Sequence, residues 1–303
     1  MTGAQIAAHA RSRSALFPRA TARTRAAEGG FKVLMYLAVG LAGLALVTLL
    51  VDVARDGWGV LSLQFLTNFP SRISPERSGI QSAIVGTLYL MVLTAVFVVP
   101  VGVATALYLE EYADPTRWYN RWVEVNIQNL AAVPSVVYGI LGLAFIVREP
   151  LGLGPVLLAG GLTLGLLVLP VVIIVSREAI RSVPPSIRDG ALALGATQWQ
   201  TIRRQVLPGS MAGIATGVIL ALSRAIGETA PLLVIGAAAS TRFNPQGVND
   251  SFTALPIQIF TWTSQADRAF IPLAAGAILV LMVLLLAMNS VAILLRNRYE
   301  QKW

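Results

Sequence analysis

Two oppositely charged side chains lie within one of the apolar stretches of this chain. Arg224 and Glu228 belong to the segment ALSRAIGETAPLLV and are four residues apart, so a helix would place them on one face. A charge at the centre of a bilayer costs at least about 2.5–3.5 kcal/mol, and such residues face a protein interior or an aqueous path. We predict that the Arg224 guanidinium, a planar fork of donors, meets an oxyanion in transit, and that Glu228 prevents permanent trapping. In the alternative interpretation, the two charges only neutralise each other.

The same segment contains two further residues of interest. Pro231 would clash with the carbonyl of Gly227, so we expect the helix to kink there and to free a backbone acceptor. Thr229 lies at this kink and is included in the candidate path. Arg177, at the end of another apolar stretch, is a weaker candidate, because an arginine at the end of a span more often reaches out to the interface.

A polar, arginine-bearing stretch, residues 177–208, separates two apolar stretches. Pro184 and the proline after it suit the first turn of a helix, and Gly195 suits its end, because glycine readily adopts the left-handed conformation. Thr197, with a glutamine three residues later, has the spacing of a capping box and predicts a second helix that runs to about Leu207. Neither helix reaches the roughly 20 residues that cross a bilayer. We predict a structured loop at a membrane surface.

The composition assigns the chain to the integral membrane proteins. Of 303 residues, 55% are hydrophobic and 13% are charged, with a mean hydropathy of +0.69, whereas soluble domains carry about 25% charged residues. There is no cysteine, and the only histidine is His9, which argues against thiolate and imidazole metal sites. Neither lysine follows a glycine, so the chain has no P-loop with which to hydrolyse ATP. No cofactor and no nucleic-acid partner are predicted; a membrane enzyme with an unrecognised site stays open, and transport is the default.

Six apolar segments are each long enough to span a bilayer. They cover residues 32–54, 81–109, 125–147, 154–176, 209–239 and 270–295. Residues 1–30 are polar and arginine-rich and predict a disordered cytoplasmic tail; a transit peptide is the minor alternative, and a signal peptide is disfavoured by the length of the next apolar run. Residues 31–303 form one six-span domain of the all-α integral membrane class.

The basic residues predict the orientation of these spans, because cytoplasmic loops carry an excess of lysine and arginine. With the N-terminus inside, the inner segments hold 16 of the 23 basic residues and the outer segments hold 6, while Arg224 lies within a span. Both termini and residues 177–208 are therefore expected in the cytoplasm. Glu110 and Glu111, at the end of the second span, are expected to be solvated at the cytoplasmic boundary.

The segment DGALALGATQWQTIRRQVLP resembles the cytoplasmic EAA loop of ABC importer permeases, which has Glu-Ala-Ala, a glycine after three residues, and a distal Ile-x-Leu-Pro. The residues in the matching positions are Asp189, Gly190, Ala191, Gly195, Leu207 and Pro208. The segment departs from the pattern at Asp189, Gly190 and Gln205. The resemblance implies that this coupling loop docks on a separate ATPase, through Asp189, Gly190, Ala191, Leu194, Gly195 and Ala196.

Four further stretches are similar to the phosphate-specific permeases of this family: SGIQSAIVGTLYL, NLAAVPSVVYGILG, SRAIGETAPLL and LPIQIFTW. The length and the APLL and LPIQIF segments resemble the A type (PstA type) more than its C-type partner. The resemblance implies an ABC type I importer permease fold in the bacterial inner membrane, surrounded by lipid. It also implies a complex with a homologous C-type permease, two ATPase subunits and a binding protein that delivers inorganic phosphate.

Two other functions stay open at this point. One is a permease of the same class for another oxyanion or solute, such as sulfate, molybdate or an amino acid. The other is a membrane protein that needs no ATPase.

Overall fold

Helices are the regular elements of the computed structural model, which describes residues 22–238 and 240–299. In chain order they are α1 (Ala22–Trp58), α2 (Leu63–Thr67), α3 (Gln81–Tyr112), α4 (Trp118–Ala131), α5 (Ser135–Val147), α6 (Leu157–Arg181), α7 (Pro185–Ala193), α8 (Gln198–Ile226), α9 (Ala230–Val234), α10 (Leu255–Thr263) and α11 (Phe270–Tyr299). Wider π-helical turns occur at the ends of α3 and α5 and within α8. The predicted all-α class is confirmed.

The chain divides into two compact units, residues 1–52 and 53–303. The described part of the first unit is helical and belongs to α1, which contains the predicted first span, 32–54. The predicted disordered tail, 1–30, is therefore corrected over residues 22–30, which are helical. The rest of that predicted tail, including His9, lies outside the described residues.

Within the described residues, five helices are long and apolar enough to cross a membrane, namely α1, α3, α6, α8 and α11, and α4 with α5 gives a sixth span if the pair is counted as one. This pair bends by 109° between Ala131 and Ser135. Pro134 explains the break, because a proline disfavours the helical conformation of the residue before it. The six-span prediction holds in this form, but the third span, predicted as one segment over 125–147, is two helices.

The fifth predicted span, 209–239, also has different boundaries. The capping box at Thr197 is present, yet the helix that it starts does not end near Leu207 but continues to Ile226. A π-helical turn over Ile202–Val206 precedes Pro208. Because a proline has no N–H and collides with the carbonyl four residues earlier, this wider turn lets the helix pass through it. The end of the loop and the fifth span are thus one helix, α8.

Glycines allow close packing of α6 against its neighbours in the second unit. A Cβ atom on Gly161 would lie 2.9 Å from Cβ of Leu93 on α3, and a Cβ atom on Gly165 would lie 2.5 Å from Cδ1 of Phe97. Such distances exclude a side chain larger than hydrogen unless the helices move apart. Buried valines, Val98, Val168 and Val172, fill the same interface.

Buried hydrogen bonds fix the end of α3 that lies away from residues 177–208. The Ser82 hydroxyl donates to the carbonyl of Thr241 at 2.8 Å, and the Leu255 N–H donates to Oγ1 of Thr87 at 2.9 Å. Both bonds hold the long connection between α9 and α10. We call this the far end of α3, and we call the end that carries Glu110 and Glu111 the loop end.

Candidate functional site

The predicted Arg224–Glu228 pair lies at a break between two helices. α8 ends at Ile226, Gly227 caps it, and Glu228 lies outside the helix before α9 begins. Nε of Arg224 is 3.5 Å from Oε1 of Glu228, and the side chains are 51% and 18% exposed, respectively. The kink that Pro231 predicts is a complete break. The pair forms, but not on one face of a continuous helix.

A second helix break lies close to the first. A Cβ atom on Gly139 of α5 would lie 2.8 Å from Cα of Pro231, so α5 and α9 are in direct contact. Tyr138 is buried and donates its hydroxyl to the carbonyl of Leu130, which spans the bend between α4 and α5. Non-helical backbone at membrane depth is tolerated where it is buried in protein or lines a water-filled cavity.

The break combines the groups that an oxyanion needs. Arg224 offers a half-exposed guanidinium, and Thr229, which follows Glu228 directly and caps α9, adds a hydroxyl to this segment. Ends of interrupted helices recur at substrate sites of transporters, because their backbone groups are free to coordinate ions. The structure thus pairs Arg224 with Glu228, and Thr229 lies next to Glu228 in the chain. Among the described residues, no cluster of three or more metal-ligating side chains occurs.

Polar contacts that the sequence analysis missed join α8 to α11 on the N-terminal side of the break. The Ser223 hydroxyl donates to Oδ1 of Asn289, and Nη1 of Arg296 donates to Oγ1 of Thr216 at 3.2 Å. Ser223 precedes Arg224 directly, so the first contact fixes the last turn of α8 next to the candidate site.

Arg177 lies in a different part of the second unit. Its Nη1 is 2.9 Å from Oε1 of Glu124 on α4, and its Nε is 3.4 Å from Oε2 of Glu110 on α3. The Arg177 side chain is 14% exposed. It therefore does not extend freely to the interface but is held between two carboxylates.

Helix contacts show how far Arg177 is from the break. A Cβ atom on Gly213 of α8 would lie 2.7 Å from Cβ of Ala179, two residues after Arg177. Gly213 precedes Arg224 by eleven residues, or about 16 Å along a helix. The structure does not bring Arg177 to the site of the other three predicted path residues.

The carboxylates at the loop end form a cluster that the sequence analysis did not predict. We call Glu110, Glu111 and Glu124 the carboxylate cluster. Glu110 accepts two hydrogen bonds from Arg181, at 2.9 and 3.1 Å, and Glu111 accepts two from Arg188, at 3.1 and 2.9 Å. Glu110 and Glu111 are therefore not simply solvated, as expected from the sequence, but paired and largely buried.

The six predicted coupling residues lie on α7 and the turn that follows it. Asp189 and Gly190 are exposed on α7, and Leu194, at its end, is 91% exposed. Gly195 has a φ of +84°, the left-handed conformation predicted for the end of this helix. The remaining two, Ala191 and Ala196, are half-buried. A short rigid helix that ends in an exposed leucine presents a surface suited to another protein.

Comparisons with known proteins agree with this architecture. Residues 98–301 match the family described as "Binding-protein-dependent transport system inner membrane component". The chain is 34% identical over 246 residues to the phosphate transport system permease protein PstA 1 of Mycobacterium tuberculosis, covering 80% of this chain and 77% of the relative. It is 28% identical to the phosphate transport system permease protein PstC of Xylella fastidiosa, covering 95% and 99% of the two chains.

A solved structure shares the fold. A chain of a bacterial alginate ABC transporter, crystallised with an alginate-bound periplasmic protein, superimposes with a TM-score of 0.66 at 19% identity and covers 88% of this chain and 93% of that one. With the match over residues 98–301, this chain belongs to the family of binding-protein-dependent transport system inner membrane components and is a multi-pass inner-membrane ABC transporter permease.

Proposed function

We propose that this protein is the transmembrane permease subunit of an ATP-driven phosphate importer and forms half of its translocation path. The observation that carries the proposal is the half-exposed Arg224 guanidinium at the break between α8 and α9. The relatives named as PstA support phosphate as the substrate. An ATPase is needed as a separate subunit, because the chain contains no P-loop.

In this proposal, Arg224 binds the phosphate and Glu228 competes for the guanidinium. The 3.5 Å separation of the pair leaves the guanidinium free to exchange its carboxylate partner for a phosphate oxygen. The hydroxyl of Thr229 is available as a donor to the same ion. Because the Glu228 carboxylate competes with phosphate for the Arg224 guanidinium, the ion is bound only transiently, as transport requires.

The proposed assembly follows from the family and the surface at the loop end. A homologous C-type permease forms the other half of the path, and a phosphate-binding protein delivers the ion. Two ATPase subunits bind from the cytoplasm, where residues 189–191 and 194–196 dock on one of them. This requires both termini and the loop end to be cytoplasmic, in agreement with the lysine and arginine bias.

Uptake of labelled phosphate into proteoliposomes that contain the purified complex tests the proposal. We expect ATP-dependent uptake that excess unlabelled phosphate suppresses and that sulfate and molybdate do not. Uptake of labelled sulfate or molybdate without uptake of labelled phosphate would assign the permease to another oxyanion. A preparation that never retains an ATPase subunit would refute the ATP-driven mechanism.

Variants of Arg224 test the site itself. Arg224→Gln should abolish phosphate uptake without loss of assembly, while Arg224→Lys should retain part of it, because it keeps the charge and loses the fork. The exposed Arg148 provides the matched control, and Arg148→Gln should transport normally. If the pair only neutralises itself, the double variant Arg224→Gln/Glu228→Gln would restore uptake; our proposal requires it to stay inactive.

A further inference from the structure

One residue at the loop end of α3 contacts the helices on both sides of the exposed turn at Leu194. The Glu111 side chain is 9% exposed, and its carboxylate accepts hydrogen bonds from Nε and Nη2 of Arg188 on α7. The backbone carbonyl of Glu111 accepts a hydrogen bond at 2.6 Å from Nε2 of Gln198, the first residue of α8. Since buried charge-assisted bonds are costly to break, a displacement of α7 must also displace α3.

Arg188 in turn holds α7 on the end of α6. Its guanidinium also donates to the carbonyl of Ile180, in the last turn of α6, at 2.9 Å, and to the carbonyl of Val183, two residues after α6 ends. Carbonyls at a helix end have no partner within their own helix, so this side chain satisfies them. With all its contacts made inside the chain, Arg188 is a fixed link and not a group that awaits a ligand.

The far end of α3 holds the connection between α9 and α10 equally firmly. Thr87 and Ser82 are fully buried and bond to Leu255 and Thr241, respectively. A Cβ atom on Gly86 would lie only 2.0 Å from the carbonyl oxygen of Thr253, so backbone meets backbone here. This part of the chain cannot move independently of α3.

Between these ends, α3 is one helix of 32 residues, about 48 Å long, which continues through Pro100 without a break. We infer that α3 is the strut that carries a displacement of the coupling helix α7 to the connection at the far end, with Glu111 and Thr87 as the positioning residues of its two ends. This inference rests on the proposed function, since it takes α7 as the place where the ATPase acts.

The experiment measures ATP hydrolysis and phosphate uptake in the same proteoliposomes, with the complete complex. Glu111→Gln removes the charge of the link and keeps its shape; we expect assembly and ATP hydrolysis near wild type, with uptake about tenfold lower. The matched control is Glu178→Gln, because Glu178 lies close by on α6 but is 65% exposed. Its ratio of ATP hydrolysed to phosphate transported should equal that of wild type.

Thr87→Val tests the other end independently, because it removes the acceptor for the Leu255 N–H and preserves the side-chain volume. Its control is Thr105→Val on the same helix, where the hydroxyl bonds only to the carbonyl of Val101 in its own helix. We expect the ratio of ATP hydrolysed to phosphate transported to rise for Thr87→Val and not for Thr105→Val. If the Glu111→Gln complex does not assemble, Thr87→Val alone tests the inference. An unchanged ratio of ATP hydrolysed to phosphate transported in Thr87→Val would then refute the role of α3 as a strut.

A second readout does not depend on the substrate. The chain has no cysteine, so Phe243→Cys, at an exposed position of the far connection, gives a single reactive thiol. ATP with vanadate should change its rate of labelling by a membrane-impermeant maleimide, and Glu111→Gln should remove that change. Absence of phosphate uptake by the wild-type complex would refute the proposed function; an ATP-dependent labelling change that survives Glu111→Gln would refute the strut.

Discussion

Replacement of Arg177 by glutamine separates a structural role of this residue from a role in the substrate path. Arg177 is 14% exposed and makes one short charge-assisted bond, to Glu124, and one longer contact, to Glu110. A sequence-based assignment to the path predicts that Arg177→Gln weakens phosphate transport. The geometry predicts that it weakens the fold instead.

The magnitude follows from what each carboxylate retains. Glu110 keeps its two hydrogen bonds to Arg181, and Glu124, at 39% exposure, regains water. The loss is therefore that of one charge-assisted bond, about 1.5–3 kcal/mol, and falls below the roughly 3–5 kcal/mol of a charge left buried without any partner. For a domain of this size, we expect the unfolding temperature to fall by about 3–10 °C.

The assay is thermal unfolding of the purified complex, followed by intrinsic fluorescence, alongside uptake kinetics. Arg177→Gln should lower the unfolding temperature and leave KM for phosphate unchanged. The double variant Arg177→Gln/Glu124→Gln should recover part of the stability, because it removes the carboxylate that lost its partner. Arg117→Gln is the control, since the Arg117–Asp114 pair is well exposed and should contribute nothing measurable. A large rise in KM at an unchanged unfolding temperature would refute this reasoning and return Arg177 to the path.

Two further predictions concern the packing of α8 and the helices of the coupling loop. Gly217→Ala should destabilise the protein by about 1–3 kcal/mol, because the new Cβ atom would lie 2.2 Å from Cγ1 of Val175, whereas Gly190→Ala meets no atom within 4 Å and should stabilise α7 by about 1 kcal/mol. The unfolding temperature should fall for Gly217→Ala and rise for Gly190→Ala, and shifts of the same sign in the two variants would contradict the prediction. Thr197→Ala should cost about 1 kcal/mol by removing the bond that the Thr197 hydroxyl accepts from the Gln200 N–H, and Thr197→Ser should not. Fluorescence of Trp199, in the first turn of α8, should report fraying in the alanine variant alone.

Features that depend on neighbours in sequence could be predicted from the sequence. The capping box at Thr197 and the left-handed Gly195 need only a few residues to form, and both are present. The apolar segments likewise identify the spans, because bilayer thickness imposes a minimum length on each. These signals are local, and they do not depend on which helices pack together.

The structural effects of Pro208 and Pro231 differ from those that the sequence predicts, and the reason is the same for both. Pro208 suggests the end of a helix, but α8 passes through it on a π-helical turn, while Pro231, expected to kink a helix, lies just after a complete break. A proline shows where a helix is weak. The surrounding packing determines whether it bends, widens or ends there, and that packing is not visible in one sequence.

The carboxylate cluster could not be predicted residue by residue. Glu111 and Arg188 are 77 positions apart, and their pairing depends on how α3 meets α7. A partial signal was present, because residues 177–208 contain five arginines but only two acidic residues. Such an excess in a structured loop indicates that carboxylates from other segments approach it. The sequence therefore predicts that partners exist, and only the fold identifies them.

The continuity of α8 changes how the candidate site relates to the coupling loop. Because one helix runs from Gln198 to Ile226, the loop and the Arg224 site lie near the two ends of a single element, about 39 Å apart. Between Gln198 and Arg224 the chain stays helical, through the π-helical turn that precedes Pro208, and it first leaves the helix at the non-helical turn of Gly227. The ion pair spans this turn, since Arg224 lies before it and Glu228 after it. In the proposed mechanism, a shift of α8 would alter the distance between the two charges directly and so release or recapture the guanidinium.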